Sequence, residues 1–290
     1  MLKLPFTKMQ GAGNDYIYVN CMHWTLAHPD KLSQMMSQRH FSVGADGLVL
    51  ICPSAVADAK MRMFNNDGSE GKMCGNAIRC IGKYLYDNRL ITKETITIET
   101  LSGIRTLKLD IGRSGLVDAV TVDMGRAVFT PSFIPVVSQE EMINAPIEVC
   151  GKTWHATAVS MGNPHCVVLS CDGAPIDPDH MQLEDIGPVF ETLPLFPERV
   201  NTEFVSVISP THLKMRVWER GSGETFACGT GACAVVAAAV KNGISPAGEP
   251  ITVSLRGGDL TLWCSEDYRM TMKGGAIKVY DGVFEYEEIK

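Results

Sequence analysis

The chain has 290 residues, enough for one large domain or two ordinary ones, and its 45% apolar and 20% charged content is that of a globular protein. Lys plus Arg number 26 against 33 Asp plus Glu, a net charge of −7 with no basic run, so neither nucleic acid nor an anionic membrane surface is an expected partner. The longest aliphatic stretch, Ala232 to Val240, is far short of the roughly 20 residues that span a bilayer. Met1-Leu2-Lys3-Leu4-Pro5 has neither the apolar core nor the cleavage site of a secretion signal, and a cytoplasmic location is expected. The 10 cysteines include no C-x-x-C pair, so a zinc site or disulfide scaffold is not expected; most should be reduced apolar filler.

In chain order, the first half predicts strands over Leu48–Ile51 and Ala59–Phe64, and a turn at Asp67-Gly68-Ser69. A helix should begin after Cys74-Gly75, with Ile78, Ile81, Tyr84 and Leu85 on its buried face and a stop at Asn88. Strands over Thr95–Thr100, Arg105–Leu109 and Val117–Val122 follow, with a boundary near Gly125 to Pro135. The second half predicts strands over Phe204–Ile208 and Leu213–Trp218, then a helix after Cys228-Gly229. That helix is apolar on every side over Ala232–Val240, which means burial all round, and should end near Asn242-Gly243. Ile251–Leu255, Leu260–Trp263, Met270–Met272 and Ala276–Tyr280 complete the strands; the last could pair with either half.

The halves repeat one another. Residues 60–75 and 214–229 align without a gap and share Lys-Met-Arg, a Glu four residues before a cysteine, and Cys-Gly, six identities in sixteen positions. Ile96-Thr97-Ile98 matches Ile251-Thr252-Val253 downstream, and Gly13-Asn14-Asp15-Tyr16 matches Gly162-Asn163-Pro164-His165 upstream. A period near 150 residues indicates two copies of one domain. The expected fold is α/β (α+β): two pseudo-symmetric domains, each a mostly antiparallel sheet wrapped around a central helix, with a substrate cleft between them. The first domain is residues 1–127, joined by the C-terminal strand 276–290, and the second is residues 128–275.

Cys74 and Cys228 each stand where a helix begins, followed by a glycine that lets a ligand approach the unpaired N–H groups of the first turn. A thiol there should have a lowered pKa and serve as a base. Two thiols on opposite sides of one carbon could remove a proton from one face and return it to the other, inverting the configuration. Cys80 and Cys233 lie further into the helices and should pack. Cys166, beside His165, lacks the context of a Cys–His hydrolase.

These stretches resemble the diaminopimelate epimerase family: Gly-Asn-Asp-Tyr (13–16), Phe-Asn-Asn-Asp-Gly-Ser-Glu (64–70), Met-Cys-Gly-Asn (73–76), Met-Gly-Asn-Pro-His (161–165), Glu-Arg-Gly-Ser-Gly-Glu-Thr (219–225) and Ala-Cys-Gly-Thr-Gly-Ala-Cys (227–233). The resemblance runs from about residue 9 to the C-terminus. It implies interconversion of LL- and meso-diaminopimelate with no cofactor and no metal, in lysine and peptidoglycan-precursor biosynthesis, by a homodimer. It also implies Cys74 and Cys228 as the acid/base pair. Asn14, Asn65, Gly75, Asn76, Asn163, Asn201, Glu219, Arg220, Gly229 and Thr230 are implied to bind substrate, and His165 with Glu219 to support catalysis. Glu219 suits an ammonium group and Arg220 a carboxylate. Two departures stand out: Ala77 where many members have glycine, and Gly47 where some present a side chain. Proline-type racemases share the two cysteines but usually read Cys-Gly-His, so another two-cysteine racemase is the alternative within this chemistry. A non-catalytic amino-acid-binding protein is the alternative outside it.

Overall fold

The computed structural model describes residues 1–289. The chain forms two compact units, residues 1–122 with 274–290 and residues 123–273. The first unit holds β1 (Leu2–Gly11), β2 (Asn14–Asn20), α1 (Pro29–Ser37), β3 (Gly47–Cys52), β4 (Ala59–Asn65), β5 (Glu70–Gly71), α2 (Gly75–Asp87), β6 (Thr95–Thr100), β7 (Gly103–Ile111) and most of β8 (Val117–Arg126). The second holds β9 (Ala145–Val149), β10 (Lys152–Ser160), β11 (Pro164–Cys171), β12 (Ala174–Pro175), α3 (Leu183–Glu191), β13 (Asn201–Ser209), β14 (His212–Glu219), β15 (Gly223–Thr225), α4 (Gly229–Lys241), β16 (Ile251–Leu255), β17 (Gly258–Cys264) and most of β18 (Arg269–Gly275). The last strand, β19 (Ile277–Tyr286), returns to the first unit and pairs antiparallel with β1.

Both units have one topology. In the first, the strand order is β19-β1-β2-β3-β4-β6-β7-β8, and in the second it is β9-β10-β11-β13-β14-β16-β17-β18. All neighbours are antiparallel except β2 with β3 and β4 with β6, and their counterparts β11 with β13 and β14 with β16. A parallel joint needs a crossover, and α1, α2, α3 and α4 supply one at each.

The inner strands β2 and β3, with the end of β4, are buried on both faces. Ile17, Val19, Leu48, Leu50 and Phe64 pack with Leu32 and Met36 of α1. The intervening Tyr18, Val49, Met61 and Met63 are buried as well, and the Tyr18 hydroxyl donates to the Ala77 carbonyl of α2 at 3.3 Å. Strands β2 and β3 therefore read as near-continuous apolar runs, whereas β6, β14, β17 and β18 keep the period-2 alternation of strands with one face less covered. In the second unit α4 is buried from Gly231 through Ala239, while Trp154, Phe190 and Phe204 pack edge-to-face near α3, with centroids 5.1–6.1 Å apart.

Helix ends follow the sequence. Asn88 and Asn242 follow the last helical residues, and each donates from its side chain to the carbonyl four residues earlier, at 2.8 and 2.7 Å. Gly243 then takes a φ of +71°, the left-handed exit that favours glycine.

Candidate active site

The two sequence blocks that repeat most strongly are the hairpins leading into α2 and α4. In the first, Arg62 on β4 forms a two-pronged pair with Glu70, at 2.7 and 3.1 Å. In the second, Arg216 on β14 pairs with Glu224, at 2.7 and 2.9 Å. Each pair ties a long strand to the short strand after it, and the cysteine comes four residues later. The conserved Arg and Glu of the internal repeat therefore fix how the chain arrives at Cys74 and Cys228.

Each cysteine is extended, with φ of −132° at Cys74 and −115° at Cys228, and occupies the N-cap position of its helix. Its carbonyl accepts the first helical bond, from Ile78 at 3.0 Å and from Ala232 at 2.9 Å. Backbone N–H groups of the first turn remain beside the thiols.

Around Cys74 the structure gathers Asn14, Gly75 and Asn76. The thiol lies 3.4 Å from Asn14 Oδ1, and the Asn14 amide donates in turn to Asp46 at 2.7 Å. Asn76 is buried in the first turn of α2. Asn65 ends β4 and donates to Ser69 Oγ at 3.0 Å, within the turn expected at 67–69, where Gly68 has φ +87°. One contributor was not visible in the motifs: Arg79, fully buried one turn into α2, donates to the Gly75 carbonyl at 3.3 Å and the Gly275 carbonyl at 3.2 Å. An arginine on an apolar helix face was the available signal.

Around Cys228 the structure gathers Asn163, His165, Asn201, Glu219, Arg220, Gly229 and Thr230. The Asn163 amide donates to Thr230 Oγ1 at 3.4 Å, and Thr230 Oγ1 lies 3.5 Å from Cys228 Sγ. The Gly231 N–H donates to the same sulfur at 3.4 Å. Asn201 accepts from the Arg220 backbone at 2.9 Å and donates to the Pro164 carbonyl at 2.8 Å, which links β11, β13 and the end of β14. The Arg220 guanidinium is exposed and donates to the Glu198 carbonyl at 2.8 Å. Glu219 accepts from Thr225 Oγ1 and hydrogen-bonds the Cys228 side chain.

Glu203 is a second residue that the motifs did not reveal. Its Oε1 is 2.7 Å from His165 Nδ1, and both side chains are fully buried. The signal was available: Glu203 lies two residues after Asn201 on β13, hence on the same face of the strand, as a carboxylate directly ahead of the apolar Phe204-Val205.

The electrostatics correct one expectation. A thiol at a helix start should have a lowered pKa, yet that of Cys228 is pushed well above the ordinary thiol range. Burial is the main cause, followed by the negative fields of Glu219 and Glu203; the bonds from Thr230 and Gly231 oppose the shift without overcoming it. Glu219 is itself pushed up, chiefly by burial, with Glu203 adding to the effect. Cys80, fully buried in α2 where packing was expected, is raised to about 11 by desolvation.

The two departures from the family pattern have structural reasons. Gly47 faces Asn65 across β3 and β4, and a Cβ there would lie 2.1 Å from the Phe64 carbonyl oxygen. Topologically Gly47 is the counterpart of Asn201, since Tyr16 pairs with Gly47 as His165 pairs with Asn201. The first unit has no room for the side chain that the second uses. Ala77 corresponds to Gly231, where a Cβ would stand 2.7 Å from Glu203 Oε1. The first unit has Val49 in place of Glu203 and tolerates the methyl, which is buried in the core.

Sheets of this order, each holding a central helix whose first turn presents a cysteine, define an epimerase-like α/β fold. Solved structures share it: a phenazine biosynthesis protein of the PhzF family from Bacillus anthracis, with a TM-score of 0.73, 17% identity and coverage of 99% of this chain and 100% of that one. A hydroxyproline epimerase from Agrobacterium vitis gives a TM-score of 0.72 at 15% identity, covering 97% and 92%. At such identities the likeness extends to the fold alone. The sequence goes further. The family model for diaminopimelate epimerase matches residues 6–130 and 157–279. The diaminopimelate epimerases of Acetivibrio thermocellus and Desulfovibrio desulfuricans are 52% and 50% identical to the chain, covering 99% and 97% of it and 100% and 98% of their own lengths. The chain belongs to the diaminopimelate epimerase family.

Proposed function

We propose that the protein interconverts LL- and meso-2,6-diaminopimelate through a thiolate and a thiol, in lysine and peptidoglycan-precursor biosynthesis. The observation that carries this reading is the occurrence of one cysteine at the N-cap of the matching helix in each of two units of one topology. Similarity to curated diaminopimelate epimerases at about half identity over nearly the full chain supports the substrate.

In one direction the Cys74 thiolate takes the α-proton, forming S–H as the C–H bond breaks. The electron pair left on carbon takes the proton of the Cys228 thiol from the opposite face, leaving a thiolate there. The reverse reaction exchanges the roles. A Cys228 held protonated by burial and two carboxylates suits it to begin as the donor. The N–H groups at the starts of α2 and α4, with Gly75, Asn76, Gly229 and Thr230, would stabilise the α-carboxylate as it gains enolate character, each well-placed donor contributing about 3 kcal/mol. Asn14, Asn65, Asn163 and Asn201 would fix the polar ends of the substrate. Glu219 would bind an ammonium group, and Arg220 the remote carboxylate. Such chemistry asks no cofactor of the protein. The working form in this reading is a cytoplasmic homodimer.

The test is incubation of reduced protein with LL-diaminopimelate in D₂O, following α-carbon deuterium by mass spectrometry and configuration by chiral separation. The expected result is exchange with inversion, reduced about 10²–10⁴-fold in Cys74→Ala and in Cys228→Ala. Exchange of proline in place of diaminopimelate would overturn the substrate, and ligand binding without exchange would overturn the enzyme.

A further inference from the structure

The geometry points to Glu203 as a positioning residue that acts on Cys228 through a buried relay of hydrogen bonds: Glu203, His165, Asn163, Thr230, Cys228. The links run 2.7, 3.1, 3.4 and 3.5 Å, and every member belongs to the second unit. This inference rests on the reading of Cys228 as a reacting thiol and adds a residue that reading does not contain.

His165 meets an oxygen at both ring nitrogens, Glu203 Oε1 at Nδ1 and Asn163 Oδ1 at Nε2. The relay needs both nitrogens to donate, so in it His165 is an imidazolium paired with the Glu203 carboxylate. A buried charge of this kind persists only when paired. The Asn163 carbonyl accepts from that cation, which strengthens its amide N–H as a donor to Thr230. Thr230 is then free to turn its hydroxyl proton towards Cys228 and stabilise the thiolate. Every donor in the chain points the same way, from the imidazolium to the sulfur.

Two further observations place Glu203 in this role. Its Oε1 lies so close to the first turn of α4 that position 231 must be glycine, where a Cβ would stand 2.7 Å away. Its Oε2 is buried with no hydrogen-bond partner among the described residues. The carboxylate bonds the His165 ring on one side and abuts the start of α4 on the other, an arrangement costly to keep for packing alone. The first unit has Tyr16 and Val49 at the matching positions, so the relay belongs to one thiol of the two.

The test is the alkylation rate of Cys228 by iodoacetamide in the ligand-free protein, resolved by peptide mass spectrometry across pH. It needs no turnover, so failure of the diaminopimelate assay and failure of the relay are read separately. Two effects of Glu203→Gln have opposite signs. If Glu203 acts on the sulfur only as a nearby negative charge, its removal makes the thiolate easier to form and alkylation accelerates. If it acts through His165, loss of the ion pair removes the polarised donor at Thr230 and alkylation at fixed pH slows, by about three- to tenfold. The relay further requires that Glu203→Gln slow nothing in a Thr230→Val background, where the last link is already cut. Asn163→Ala cuts the chain at a half-buried position without disturbing the buried pair, and must slow Cys228 in the same sense even if Glu203→Gln does not fold. Faster or unchanged alkylation in Glu203→Gln, or an unchanged rate in Asn163→Ala, overturns the proposal.

Discussion

At Cys228 the start of a helix favours the thiolate, while burial and two carboxylates favour the thiol, and the second influence is the larger. The sign has a consequence for stability. The folded chain holds its proton on Cys228 to higher pH than the unfolded chain does, so stability is lost as pH rises through the unfolded thiol value of about 8.5. Urea midpoints at pH 7 and 9.5 should therefore fall less for Cys228→Ala than for wild type; equal slopes would contradict the burial of a protonated thiol. Glu219→Gln removes one of the opposing carboxylates. It should accelerate Cys228 alkylation at fixed pH severalfold while raising KM for the substrate, since the same side chain is proposed to hold an ammonium group. Steady-state kinetics beside the alkylation series separates the two effects.

Strands β3 and β4 meet so closely at Gly47 that a methyl group has no place, and Gly47→Ala should cost about 2–4 kcal/mol in a denaturation curve. Asn242 ends α4 by donating to the Ala238 carbonyl and also bonds Thr157 Oγ1, at 2.7 and 3.0 Å; Asn242→Ala should cost about 1 kcal/mol. Elements with such local punctuation were legible from the sequence. Helices α2 and α4, their asparagine stops, the turn at 67–69 and the strands β13, β14, β16 and β17 follow from Cys-Gly, spacing and β-branched runs. Helix α1 begins after His28 in the left-handed region with no side-chain cap, and α3 carries Pro188 in its interior; against these, the only start signals are Pro29 and Asp30 in α1 and Glu184 and Asp185 in α3. Their stability comes from packing on sheets that a local window does not contain. The paired cysteines were visible because the chain repeats them. Glu203 was not, because its meaning lies in a contact with His165 on a neighbouring strand, 38 residues away.

Across the whole molecule, the two units share an order of strands but draw their edge strands from different places. The second unit takes β9, which immediately precedes β10, whereas the first takes β19 from the far end of the chain. Tyr280 of β19 packs edge-to-face on Phe6 at 5.9 Å, and Gly282 admits the Phe6 ring where a Cβ would lie 2.5 Å from it. A chain ended at Ala276 should leave β1 an open edge. Hydrogen–deuterium exchange of the β1 amides should then accelerate about tenfold or more, while protection around Trp154, Phe190 and Phe204 persists; unchanged β1 protection would show that β19 contributes no stability there. The same connectivity sets a schedule on the ribosome. Strand β19 is synthesised after every strand of the second unit, so the half that is begun first is the half that is completed last, and until β19 pairs, β1 keeps a hydrogen-bonding edge that a nascent neighbour or a chaperone could occupy.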